Sequence, residues 1–164
     1  MNFDNIENIN LNHVKYLEKK LLKGQFEDLE KIIENLNKKN FNHPAIKLLY
    51  ANSKVLKKNS KLEEKKIAFD IFLETYKSNP NFKKVLYNLC AICFQIKEYN
   101  KILILLEDFI KQNDYDDKVY GTLYKIYGIL GEAEKANEFA KIIVKNEPKN
   151  LEAWSAYIFT SLYL

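Results

Sequence analysis

Arginine is absent, and all 26 basic residues of this 164-residue chain are lysine. Without the planar guanidinium fork, bidentate reading of guanine edges, phosphates or carboxylates is closed to it, and lysine acts only as a point charge. The charge excess is slight, a net +4 with 22 acids present. The densest basic stretch, Lys57, Lys58, Lys61, Lys65 and Lys66, is interrupted by Glu63 and Glu64. A solvated loop or helix end accounts for it, so no nucleic-acid partner is expected. Glycine and proline are scarce too, at four and three. That leaves little material for the turns of a sheet, and the apolar residues recur at helical spacing, so the chain reads as all-α.

Histidine and cysteine number two each. Cys90 and Cys93 form the one CxxC, but His13 and His43 lie in other segments and no second cysteine pair completes a four-ligand zinc site. The pair falls inside a helical stretch at core-facing positions, where cysteine packs as a small hydrophobe. Gly-rich phosphate loops, HExxH and nucleophile motifs are missing as well. The acids Glu63, Glu64, Asp108, Asp114, Asp116 and Asp117 read as caps, turns and solvated faces. No catalytic residue, metal or cofactor is therefore expected, and the chain reads as non-enzymatic. The longest apolar stretch, Ala153 to Leu164, is shorter than the roughly 20 residues needed to span a bilayer. Met1 to Asn12 is Asn-rich and acidic and lacks the features of a signal peptide, which makes a cytoplasmic location the expectation.

What is present is an echo. Ala68, Ile71, Phe72, Thr75 and Tyr76 recur as Ile102, Leu105, Leu106, Phe109 and Ile110, and again as Ala136, Phe139, Ala140, Ile143 and Val144, each step being 34 residues. Units start at Lys83, Asp117 and Leu151 on the same period, and Pro80 and Pro148 are two periods apart. Both prolines stop one helix and open the next unit, since proline lacks an amide proton and clashes with the preceding turn. Each unit holds a helix A, a short turn and a helix B with apolar residues at i, i+3, i+4, i+7 and i+8. The turns are Lys97-Glu98-Tyr99 and Gly131-Glu132-Ala133, and Gly131 suits a left-handed C′ position.

This pattern resembles the tetratricopeptide repeat (TPR), most closely from Asp117 to Asn150, where Tyr120, Leu123, Tyr127, Ala136, Phe139, Ala140 and Pro148 stand at that family's characteristic positions. Small Ala136 and Ala140 let helix B approach helix A, and Tyr120 and Tyr127 are expected to fill the space between neighbouring pairs. Tyr124 departs from the family's preference for a small residue. A divergent first unit spans Asn10 to His43, and the second carries about five extra residues, expected in the stretch Lys57 to Glu64. The resemblance implies one domain over 1–164, a right-handed α-solenoid of four antiparallel helix pairs (10–43, 44–82, 83–116, 117–150) with a terminal helix over 151–164.

Such arrays offer an extended concave face, so the function expected is non-catalytic binding of a peptide or protein segment. In the resembled family the groove is lined by helix A, which here supplies Lys84, Tyr87, Asn88, Ala91, Phe94 and Gln95, then Lys118, Gly121, Thr122, Lys125, Gly128 and Ile129. The lysines make its floor mildly positive and favour an acidic ligand. The family's carboxylate clamp is matched in part: Asn52, Asn88 and Lys118 fit, whereas Leu48 and Thr122 replace two of its bases. On the terminal helix, Trp154, Tyr157, Ile158, Phe159, Leu162, Tyr163 and Leu164 cover most of the circumference. One apolar side is expected to need a cover, from continuing chain, a second copy or a partner. Alternatives of a different kind are a substrate-recruiting region preceding a glycosyltransferase or sulfotransferase domain, and a small secretion or assembly chaperone.

Overall fold

Helix starts are set by side chains that satisfy the first free amides. Asn10 caps α1 (Leu11–Leu22), its Oδ1 accepting from the Asn12 and His13 amides at 3.0 and 3.2 Å. Asp116 caps α7 (Asp117–Leu130) by accepting from Val119 N at 3.2 Å, and Asn150, one period later, caps α9 (Leu151–Ser161) through Ala153 N at 3.0 Å. Between them lie α2 (Phe26–Lys38), α3 (Pro44–Leu56), α4 (Leu62–Ser78), α5 (Lys83–Ile96), α6 (Tyr99–Gln112) and α8 (Ala133–Asn146). These are the helices of a computed structural model that describes residue 3 and residues 8–38 and 43–162. Among the described residues there is no strand, so the chain is all-α. The junction of the first two expected repeats, residues 39–42, lies outside them, as do Tyr163 and Leu164.

The chain forms two compact units, Met1–Ile96 and Lys97–Leu164. In the first, α1, α2 and α3 pack mutually, α3 packs on α4 and α4 on α5. Leu17, Leu29, Ile33, Leu36 and Ile46 centre one core with Phe3 from the N-terminal arm, and Phe69 and Phe72 of α4 and Leu86, Leu89 and Ile92 of α5 are fully buried. Cys90 and Cys93 are buried as well, and no disulfide joins them. Burial pushes the Cys93 thiol up to about 12, with a smaller push from Cys90. At neutral pH it stays a thiol, poor as a nucleophile or ligand.

The extra length of the second expected repeat takes two forms: a five-residue connection, Lys57–Lys61, and an α4 of 17 residues where α6 and α8 have 14. Lys58 and Lys61 of that connection are exposed, as a solvated loop would have them, but Lys57 is not. Lys57 reaches back to Glu30 of α2, which is 6% exposed and is the hub of a buried ion cluster. Glu30 Oε2 accepts from Lys57 Nζ at 2.6 Å and Lys54 Nζ at 3.0 Å, while its Oε1 accepts from Ser53 Oγ at 2.9 Å. Glu64 of α4 closes the cluster, 3.4 Å from Lys57 and 3.7 Å from Lys54. The Lys54 ammonium also lies 4.8 Å from the centre of the Tyr50 ring. Four elements, α2, α3, the connection and α4, are thereby tied at one point.

In the second unit α6 packs on α7, α7 on α8 and α8 on α9. Ala136 and Ala140 are fully buried, which gives the close approach of α8 to α7 expected of small residues there. The tyrosines act within the pair rather than only between pairs. Phe139 of α8 stacks on Tyr127 (5.6 Å, 4°) and meets Tyr120 edge-on (5.9 Å, 67°). Tyr127 also donates its hydroxyl proton to Glu107 of α6, and burial followed by that bond holds its phenol up at about 12. Tyr124 packs beside Ile143, Val144 and Ala153, where the small Ala153 side chain makes room for the ring.

Gly131 ends α7 at φ 79°, in the left-handed region. Lys97, one period earlier, adopts the same conformation at φ 61° but carries a side chain. A left-handed non-glycine residue costs roughly 1–2 kcal/mol, so Lys97→Gly should raise the unfolding free energy by about 1 kcal/mol after glycine's extra entropy loss. Denaturant unfolding followed by circular dichroism checks this, and an unchanged or lower midpoint would refute it.

Candidate interaction faces

On the first unit, α5 presents its expected binding residues as a graded strip. Lys84, Ala91 and Gln95 are exposed, and Tyr87, Asn88 and Phe94 are half-buried beside them. Their spacing leaves Val85, Leu86, Leu89, Ile92 and Cys93 to face the core. The strip continues onto α3, because Asn88 Nδ2 donates to Asn52 Oδ1 at 3.3 Å and Asn52 Nδ2 donates to the Leu48 carbonyl at 2.8 Å. Two of the three residues that fit the partial clamp are thus held side by side on consecutive A helices. Lys47, beside Leu48, is engaged with Glu74 of α4 at 3.4 Å.

On the second unit, α7 exposes Lys118, Lys125, Gly128 and Ile129, with Gly121 half-buried. Thr122 departs from expectation. It is 7% exposed, and its hydroxyl donates to the Lys118 carbonyl at 2.6 Å, so it belongs to the helix interior rather than to an open lining. A cleft of about 180 Å³ runs beside Gly121, Tyr124 and Lys125, bounded by Glu147, Asn150 and the first turns of α9. Its charge is not the positive floor expected from α7 alone. Asp117, Glu147 and Glu152 line it against the single lysine, Lys125, which sits 3.7 Å from Glu152. Two of these acids, Glu147 just after α8 and Glu152 at the start of α9, come from outside the α7 lining, and Asp117 opens α7 one residue before the first position counted there. Glu147 accepts from Tyr115 Oη at 2.6 Å and Asn150 Nδ2 at 2.8 Å, and these two bonds hold its carboxyl below the ordinary range.

On the terminal helix, Tyr157 is half-buried against Ile143, Val144 and Ala153. The other four described candidates are exposed: Trp154 by 39%, Ile158 by 55%, Phe159 by 58% and Leu162 by 78%, joined by Leu151 at 82%. A larger open cleft of about 500 Å³ lies elsewhere, between the α1–α2 turn at Gly24–Asp28 and Lys57, Lys58 and Asn59. Sequence reasoning did not find it, since its two walls come together only once α3 has packed on α1 and α2. Among the described residues, no group of His, Cys, Asp and Glu is placed to hold a metal, and no helix is long and apolar enough to cross a membrane.

The helix order and pair geometry match known structures. MamA, solved as an RS-1 ArsTM double mutant, superposes with a TM-score of 0.71 at 19% identity, covering 91% of this chain and 81% of its own. A second MamA structure gives 0.69 at 18% identity over 93% and 83% of the two chains. PilF of Pseudomonas aeruginosa gives 0.59 at 9% identity, over 94% and 67%. MamA and PilF are TPR proteins. The chain has the TPR fold. No protein-family model matches its sequence, and no curated protein does so significantly. At these identities the likeness carries the fold alone.

Proposed function

We propose that the chain is a non-catalytic interaction module that holds a segment of another protein against the α3–α5 strip of its first unit. The observation that carries this reading is the Asn52–Asn88 hydrogen bond, which sets two amides on adjacent A helices beside exposed Lys84, Ala91 and Gln95. Side-chain amides can donate to and accept from an extended main chain, half-buried Tyr87 and Phe94 supply apolar area at low entropic cost, and Lys84 favours a carboxylate on the ligand. The TPR fold that the chain shares with MamA and PilF supports the same reading, since stacked helix pairs of this kind offer extended faces to a partner. On the second unit the acids around Lys125 disfavour an acidic ligand, so the preference for one is confined to the first. A cytoplasmic setting and protein rather than nucleic-acid partners complete the proposal.

The test is selection of binding peptides from a random displayed library on the native chain, followed by rebinding to Ala91→Arg and Lys84→Glu. Both positions are exposed, so helical content and unfolding midpoint should stay within about 0.5 kcal/mol of native. Ala91→Arg should weaken the selected peptides about tenfold or more by occupying the centre of the strip, and Lys84→Glu should weaken acidic ones selectively. Peptides that bind all three proteins equally would place the working surface elsewhere.

A further inference from the structure

Along α9 and its C-cap, three exposed apolar residues and one small serine keep heptad spacing rather than a random scatter. Leu151, Ser155, Ile158 and Leu162 are spaced 4, 3 and 4, which on a helix gathers them into one narrow stripe. The opposite side of the helix is used up: Ala153 is buried, Tyr157 packs on Ile143 and Val144, and Thr160 and Ser161 donate to Asn137 of α8 at 3.0 and 3.1 Å. Trp154 and Phe159 flank the stripe, one on each side. The helix carries a single charged residue, Glu152, which faces Lys125 and lies off the stripe.

This stripe reads the same in both directions. Laid antiparallel on itself about a two-fold axis between residues 156 and 157, it sets Leu151 against Leu162 of the other copy, and small Ser155 against large Ile158. On the two flanks Trp154 and Phe159 each come beside their own counterparts. Large against small in the central layers is what helix packing requires for close approach, and an interface in which residue i meets j while j meets i is the isologous contact of a two-fold dimer. A head-to-tail contact with α1 is disfavoured, since the exposed residues of α1 include Lys15, Glu18 and Lys19, whose charges an apolar stripe cannot pair.

We infer that α9 is a self-association surface whose occupant is α9 of a second copy of this chain, packed antiparallel. Five exposed large side chains, taken at their exposed fractions and at roughly 200 Å² each, offer about 600 Å² per copy. That is the lower end of specific interfaces, so the dimer forms reversibly. The surface is separate from the α3–α5 strip and does not depend on that strip being a binding site.

Sedimentation velocity of the full chain tests it. The native protein should shift from monomer to dimer as its concentration rises to roughly 100 μM. Ile158→Asp, at an exposed position, should leave the helical spectrum unchanged and weaken dimerisation at least about tenfold. The register has its own signature: Leu151→Lys and Leu162→Glu should each stay monomeric, and the double variant should dimerise again, because each lysine then faces a glutamate of the other copy. A native chain monomeric throughout that range would overturn the inference, as would a dimer untouched by Ile158→Asp or a double variant that fails to recover.

Discussion

Replacing Glu30 by alanine should cost about 3 kcal/mol of stability, the lower end of what breaking a buried ion pair costs. The substitution strands two ammonium groups. The Lys54 and Lys57 side chains are only 11% and 21% exposed, and their shortest carboxylate contacts, at 3.0 and 2.6 Å, are both to Glu30. Glu64 remains 3.7 Å from Lys54 and 3.4 Å from Lys57 and softens the loss, which keeps the expected value at about 3 rather than about 5 kcal/mol. Thermal unfolding should fall by about 6–12 °C for a chain of this length. Removing Glu30 and Lys54 together, as Glu30→Leu with Lys54→Leu, leaves Lys57 and Glu64 to pair with each other and should recover most of the loss. If the single variant unfolds like the native protein, the cluster is not what holds the long connection.

Acid should act on the same cluster. Burial by itself would push the Glu30 carboxyl up, but hydrogen bonds from Lys57, Lys54 and Ser53 outweigh it and hold the group below its ordinary value. A carboxyl whose folded pKa lies below its unfolded one contributes its full stability above the unfolded value and loses it as pH falls through the folded value. The gap between native and Glu30→Ala should therefore be widest near neutral pH and narrow below the ordinary carboxylate range. At the basic end, burial alone would lower the Lys54 and Lys57 pKa values, yet their bonds to Glu30 leave both raised. Their contribution persists below the ordinary lysine value and fades only above it.

Periodic features were legible in the sequence, and pairings between elements were not. The 34-residue echo anticipates the starts of α5, α7 and α9 at Lys83, Asp117 and Leu151, and the left-handed Gly131. It does so because core burial and capping repeat with the helix pair. Glu30 carries no such signal: it sits one residue after Leu29 in a helix B, and Ser53 and Lys54, 23 and 24 residues away, reach it only once α3 has packed on α2. Its partner Lys57 looked like part of a solvated basic run for the same reason. Thr122 occupied a position the TPR pattern assigns to the groove, but its hydroxyl satisfies itself on the Lys118 carbonyl and turns inward, a local bond that a positional pattern does not encode. Two of the three acids around Lys125, Glu147 just after α8 and Glu152 of α9, lie outside α7, so a lining read from helix A alone missed them. The division into compact units at Ile96 and Lys97 falls at the A–B turn inside one helix pair, which the period marks only as a turn equivalent to that at Gly131 and not as a boundary.

In the second unit the largest single loss should follow Phe139→Ala, at about 3 kcal/mol or more, the range for emptying an aromatic site in a packed core. Phe139 is 9% exposed, and its ring touches both family-position tyrosines of α7. Its removal deletes two aromatic contacts, each worth about 0.5–1.5 kcal/mol beyond area burial, and opens a void that fully buried Ala136 and Ala140 are too small to fill. Tyr127 keeps its bond to Glu107 and so cannot swing far into the gap. Leucine at the same position restores volume without the ring quadrupole and should cost roughly half as much. The pair separates two explanations. Equal losses in Phe139→Ala and Phe139→Leu would mean that ring geometry rather than filled volume holds α8 on α7. No loss in either would mean that Ala136 and Ala140 set the approach alone. Because Lys118 and Lys125 ride on α7 with Tyr120 and Tyr127, loosening this contact should blur the α7 face before the unit unfolds, seen as faster amide exchange along α7 in the leucine variant.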